Sequence, residues 1–124
     1  MDELLVSKIS TVNEAYFGFD ELPSIVWSRG RIKKRYTRLT LGSYHHKKNE
    51  IRIHPLFRER ELPGYVLDYV IYHELLHFED RSRLAKRRRG ERVHTSNFHS
   101  REHNFPHKRE ATRYVREMMK NGIP

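Results

Sequence analysis

Leu62-Pro63-Gly64-Tyr65-Val66-Leu67-Asp68-Tyr69-Val70-Ile71-Tyr72-His73-Glu74-Leu75-Leu76-His77-Phe78 holds the most apolar run of the chain, and its reading decides the fold. Proline near a first helical turn is favourable, because its missing N–H would have no intrahelical partner there. Beyond it, apolar residues fall almost all around the helical wheel, which predicts a helix passing through the core. His73, Glu74 and His77 interrupt that surface, and burying them is costly unless each finds a partner. Their spacing provides one. Residues at i and i+4 share a helix face, so both imidazoles can reach a single ion at about 2.0–2.1 Å. Glu74 lies one position further round, where it can take a proton from a water activated by the ion. The HExxH pattern thus predicts a zinc centre with His73 and His77 as ligands and Glu74 as general base for peptide hydrolysis.

Upstream, Leu5, Ile9, Val12, Tyr16 and Phe17 recur at helical spacing, and predict a helix over residues 4–17 that ends at Gly18. Ile25-Val26-Trp27 is β-branched and aromatic and predicts a short strand. Residues 38–44 and 50–54 alternate apolar and polar about the polar turn His46-Lys47-Lys48-Asn49, which predicts a hairpin stopped by Pro55. Downstream, residues 80–92 form a polar, strongly basic connection. A last helix is expected over residues 108–119, with Ala111, Tyr114, Val115, Met118 and Met119 facing inward. The class is α+β in one domain spanning residues 1–124.

Composition narrows the chemistry. The 124 residues include no cysteine, which excludes disulfides, thiolate nucleophiles and thiolate zinc modules. A transition metal must be held by His, Asp or Glu, and the chain carries 9 histidines. A catalytic zinc site usually takes three protein ligands and leaves the fourth position open. Candidates for the third are His94, His99, His103 and His107, all beyond the basic connection.

The chain resembles the SprT-like metallopeptidases and their compact YgjP-like relatives over most of its length. Asn13 with Tyr16-Phe17 and Leu22-Pro23 is similar to that family's opening helix and exit. Leu41-Gly42-Ser43-Tyr44 and Ile51-Arg52-Ile53-His54-Pro55 are similar to its hairpin, and Val66 to Tyr72 leading into His73 matches most closely. The resemblance implies a minimal zincin-like domain: N-terminal helix, small antiparallel sheet with a hairpin, buried active-site helix and C-terminal helix. It also implies that the third ligand is a histidine followed by a small or polar residue and then an aromatic. His94-Thr95-Ser96-Asn97-Phe98 fits that pattern better than the stretch from His99 to His103. Two departures stand out: the 17 positions from His77 to His94 are long and basic for the compact relatives, and the DNA-binding segments of the larger members have no counterpart.

A formal net charge of +9 favours anionic partners, and Lys86, Arg87, Arg88 and Arg89 form the candidate nucleic-acid contact. The bland reading of that run is a solvated loop. The expected partner is a protein or peptide substrate, laid as an added strand along the edge of the sheet. Tyr44, Tyr72, His99 and His103 are candidates for stabilising the oxyanion. The N-terminus lacks the basic start and apolar core of a signal peptide, and no run approaches a membrane span, so a cytoplasmic location is expected. Two other classes compete. A metal-dependent ribonuclease of the YbeY-like type carries a third histidine a few residues after the second, where Phe78 to Arg83 offers none. A nucleic-acid-binding protein with a structural zinc would close its site with four ligands and has no use for Glu74.

Overall fold

The structure is a computed structural model that describes residues 2–124. Its centre is a helix over Gly64–Glu79, the sixth element in chain order after α1 (Glu3–Tyr16), β1 (Ser24–Trp27), β2 (Gly42–His45), β3 (Glu50–Ile53) and the single turn α2 (Leu56–Glu59). This central helix, α3, is followed by α4 (Arg81–Ala85), α5 (Ser96–His103) and α6 (Lys108–Asn121). Helix α3 buries Val66, Leu67, Val70, Ile71, Tyr72, Leu75, Leu76 and Phe78, and with them Glu74 and His77. It packs against α1, β2, α5 and α6, so nearly every side of it is covered. That coverage is why its sequence is apolar all round.

Helix α1 lays the i, i+4 stripe Leu5, Ile9, Val12 and Asn13 into the core. Asp2 caps it, accepting from the Leu5 N–H at 3.2 Å and from the Trp27 indole N–H at 2.7 Å. At its other end the buried Asn13 side chain accepts from the Gly18 and Phe19 N–H groups and donates to the Phe19 carbonyl. Gly18 makes that exit with φ +85°, a left-handed conformation in which a Cβ would be strained.

The hairpin β2–β3 is antiparallel, with Gly42 opposite Ile53 and His45 opposite Glu50. Asn49 closes its turn at φ +49°, a conformation asparagine tolerates better than most residues. Strand β1 joins the outer side of β3 in parallel, Ile25 opposite Ile51, so the three-stranded sheet is mixed in the order β1-β3-β2. The parallel pairing is possible because residues 28–41 form a long crossover between β1 and the hairpin. Strand β2 begins at Gly42, four residues later than the alternation at 38–44 suggests. Leu39 and Leu41 instead turn toward Val70 of α3 and Val115 of α6, lining an apolar cleft.

Helix α6 buries Ala111 and Met118, with Tyr114, Val115 and Met119 half-buried. The connection at 80–92 contains the short helix α4, and α5 forms where the sequence offered no strong apolar period. Thr95 starts α5 by accepting from the Phe98 N–H at 3.2 Å, and Phe98 anchors it in the core. No helix among the described residues is long and apolar enough to cross a membrane.

Candidate active site

Helical spacing puts His73 and His77 on one face of α3, with ring centroids 5.0 Å apart. The stretch between α4 and α5 returns across that face and delivers His94. Its Nε2 lies 3.1 Å from Nε2 of His77, and its ring centroid lies 5.3 Å from that of His73. Each of the three rings offers one nitrogen, and those three atoms lie within 4.8 Å of one another. His99 neighbours the cluster at 6.0 Å from the His94 ring centroid, and His103 faces a separate cleft beside Phe105 and Lys108. His107 packs near Tyr65 and Phe105, away from the cluster.

The donor set fits a divalent transition metal. Burial, with the neighbouring His73 and His94, holds the His77 imidazole down at about 3, so it stays neutral. Burial and His73 also lower His94. Neutral imidazoles are the ligating form. Two of them facing each other through Nε2 at 3.1 Å need a proton or a cation between them. Tetrahedral coordination at about 2.0–2.1 Å would separate two ligand nitrogens by about 3.3 Å. The buried Nδ1 of His77 has no hydrogen-bond partner among the described residues.

His73 differs from the other two. Its Nδ1 is hydrogen-bonded to the Glu102 carboxylate, which leaves Nε2 for the cluster. Burial alone would lower His73, but the Glu102 hydrogen bond and the Glu74 charge outweigh it and the imidazole is raised. Burial opposes ionisation of Glu102 as well, yet the same bond carries its carboxyl below the usual value. A carboxylate on the far nitrogen of a ligand histidine fixes the tautomer and the ring plane. The sequence reading missed Glu102. Its one local signal is a position eight residues beyond His94 on a capped helix, which becomes meaningful only once α5 is folded against α3.

Glu74 is buried, and burial pushes its carboxyl up to about 7 against the pull of His73. It lies beside the first residue of β2. A Cβ on Gly42 would come within 2.5 Å of Val70 Cγ1 and 3.3 Å of Glu74 Oε2, so only glycine lets the strand approach the helix this closely. His73, Glu74 and Gly42 together line two adjoining clefts of about 370 and 400 Å³. The first continues past His77 and His94 to Arg87, and the second is the apolar one floored by Val70 and Val115.

No family model matches this chain, and no curated protein matches it. The solved structures give a different result. The chain is similar to the crystal structure of the metallopeptidase zymogen of Pyrococcus abyssi abylysin, with a TM-score of 0.61 over 97% of this chain and 99% of that one. The two share a fold. Identity is 14%, so the likeness lies in the α+β architecture alone.

The remaining candidates are dispersed. Tyr72 donates its hydroxyl to the Arg101 carbonyl at 2.6 Å, and Tyr44 donates to Asn49 Oδ1 at 2.8 Å while lining the cleft. In the basic stretch, Arg87 turns to the cleft and donates to the Glu91 carbonyl at 2.9 Å. Lys86, Arg88 and Arg89 stay exposed, with no ion-pair partner among the described residues.

Proposed function

We propose that this chain is a zinc-dependent metallopeptidase of the SprT-like type, with His73, His77 and His94 as ligands and Glu74 as general base. The observation that carries the reading is the convergence of three imidazole nitrogens beside a buried carboxylate at the edge of a strand. A zinc ion in such a site supplies Lewis acidity, lowering the pKa of a water and polarising a carbonyl.

The chain's own residues do the rest. Glu74, held near neutrality by burial, can accept a proton from the attacking water and return it to the leaving amine. Glu102 keeps a proton on His73 Nδ1 and so holds the other nitrogen free; it is a positioning residue. Among the described residues strand β2 has only β3 as a neighbour in the sheet, so its other edge is open. The Leu41 carbonyl accepts from the His54 N–H, which assigns that side of the alternation to β3. Gly42 and Tyr44, out of phase with it, turn their backbone groups outward, where an extended peptide can add as a strand. The scissile bond would then pass Glu74 opposite Gly42.

The test is hydrolysis of an unstructured protein such as casein by the zinc-loaded chain and by zinc-loaded Glu74→Gln. The expected result is cleavage by the first, lowered by about two to four orders of magnitude in the second with the metal retained. Equal rates for the two proteins would remove Glu74 from the mechanism.

A further inference from the structure

The edge strand has a second face, and it is strongly cationic. Gly42 and Tyr44 pair with Ile53 and Ile51 and point with them toward α3, so Ser43 and His45 point to the opposite side of the sheet with Arg52. On that side the crossover at residues 28–41 folds over the sheet and encloses a cleft of about 420 Å³. Arg31, Lys33, Arg38 and Arg52 line it together with His45 and Ser43, and no acidic side chain lines it among the described residues. Arg52 donates to Glu50 at 2.8 Å, while Arg31, Lys33 and Arg38 have no ion-pair partner among the described residues.

The wall that carries these charges is tied down. The Tyr36 hydroxyl donates to the Arg31 carbonyl at 2.6 Å and accepts from the Lys33 N–H at 2.8 Å. The Ile123 N–H donates to the Lys34 carbonyl at 2.7 Å, and Arg35 donates to the Lys120 carbonyl at 3.1 Å. Gly30 lies so close over the buried His54 ring that a Cβ there would meet Nε2 at 2.5 Å. Three cations without counter-charges, Arg31, Lys33 and Arg38, on a wall anchored to both α6 and the sheet, have the makings of a binding site for an anion.

We infer that this cleft is a specificity subsite for an acidic side chain of the substrate, reached by the residue that pairs opposite Ser43. The inference rests on the peptidase reading and extends it to a substrate class. In an added strand, side chains alternate between the faces of the sheet. The residue opposite Gly42 projects toward Glu74 and the apolar cleft, and its neighbour opposite Ser43 projects to the other face, among Arg52, Arg38, Arg31 and Lys33. The preferred substrate therefore carries Asp or Glu next to the residue that faces the catalytic side. An acidic preference with period two distinguishes this subsite from the general attraction of a chain with net charge +9, which would favour acidic residues at every position alike.

The test uses the full chain, zinc-loaded, as Glu74→Gln, with a set of fluorescein-labelled heptapeptides in which one Glu, Gln or Lys is moved along an otherwise neutral, apolar–polar sequence. Expected is tighter binding of Glu than Lys by about tenfold at alternate positions only, weakening with salt. Arg31→Ser combined with Arg38→Ser should flatten that alternation without changing zinc content or melting temperature. A Glu preference uniform along the peptide, or none, overturns the inference. So does a single-stranded oligonucleotide whose binding is lost in the double variant while the peptide pattern is unmoved, since the cleft would then be a nucleic-acid surface. Hydrolysis of the same peptides by the zinc-loaded wild type separates the two levels. Alternating affinity without cleavage would keep the subsite and remove the peptidase, whereas cleavage without alternation would keep the peptidase and remove the subsite.

Discussion

Helix α3 and the stretch at residues 80–107 both supply the candidate metal centre, and they do so in opposite physical ways. Helix α3 brings His73, Glu74 and His77 on a rod packed into the core, so their relative positions follow from helical geometry alone. The later stretch brings His94 and Glu102 on chain that is mostly polar and exposed, with Phe98 and Phe105 as its buried anchors. A pair of ligands can be specified by a local period. A third ligand and its supporting carboxylate need tertiary closure, here the docking of α5 on α3 through Phe98, whose ring lies 4.5 Å from that of His77.

This contrast is strongest in metal retention. His73→Ala and His77→Ala should each abolish zinc binding, because each breaks the pair that the rigid helix holds at fixed spacing and leaves one helix ligand with a ligand on exposed chain. His94→Ala should weaken it severely yet leave α3 intact, so secondary structure and melting of the metal-free protein should change little. Inductively coupled plasma analysis with circular dichroism on the three variants checks this. Loss of the fold in His94→Ala would mean that the later stretch is as structural as α3.

Glu102→Ala sharpens the comparison at the next level. It removes no proposed ligand but frees the His73 ring, so zinc affinity should fall by roughly 10–100-fold. Competition against a chelator of known affinity measures it, and Glu102→Gln, which can still accept at His73, should recover part of the loss. An unchanged affinity in Glu102→Ala would leave the carboxylate without a positioning role.

A smaller effect belongs to α3 alone and needs no metal. The folded Glu74 carboxyl sits at about 7, above its ordinary value of 4.5, so the fold favours its neutral form. That contribution is fully present below about pH 4.5 and is lost as pH rises through about 7. Chelated Glu74→Gln should therefore melt with wild type near pH 4 and above it near pH 8, by an amount corresponding to roughly 3 kcal/mol at most. His77 runs the other way. Held at about 3, its contribution is present above its ordinary 6.5 and lost as pH falls toward 3, and it cancels between the two proteins. Parallel melting curves at every pH would contradict the burial assigned to Glu74.

Legibility in the sequence follows the same division. The buried helix, the opening helix, the hairpin and the last helix each carry a local period, and each is present within a few residues of where the pattern puts it. The parallel pairing of β1 carries no local signature, because it depends on where the 28–41 crossover delivers the chain. The early start expected for β2 arose because Leu39 and Leu41 alternate like a strand while packing into a cleft between helices. Helix α5 has a cap at Thr95 but a weak apolar stripe, and Glu102 within it has no spacing relation to His73 that a linear pattern could carry. Gly42 looked like one more polar-face position of a strand. Its requirement comes from Val70 and Glu74, one helix away.

The central claim is that His94 completes a site begun on α3, and zinc K-edge X-ray absorption on the zinc-loaded chain tests it most directly. The account predicts three imidazole nitrogens in a shell at about 2.0–2.1 Å in wild type and two in any zinc that His94→Ala retains. An unchanged imidazole count in His94→Ala, or a ligand lost in Glu102→Gln, would contradict it and give the third ligand to another side chain.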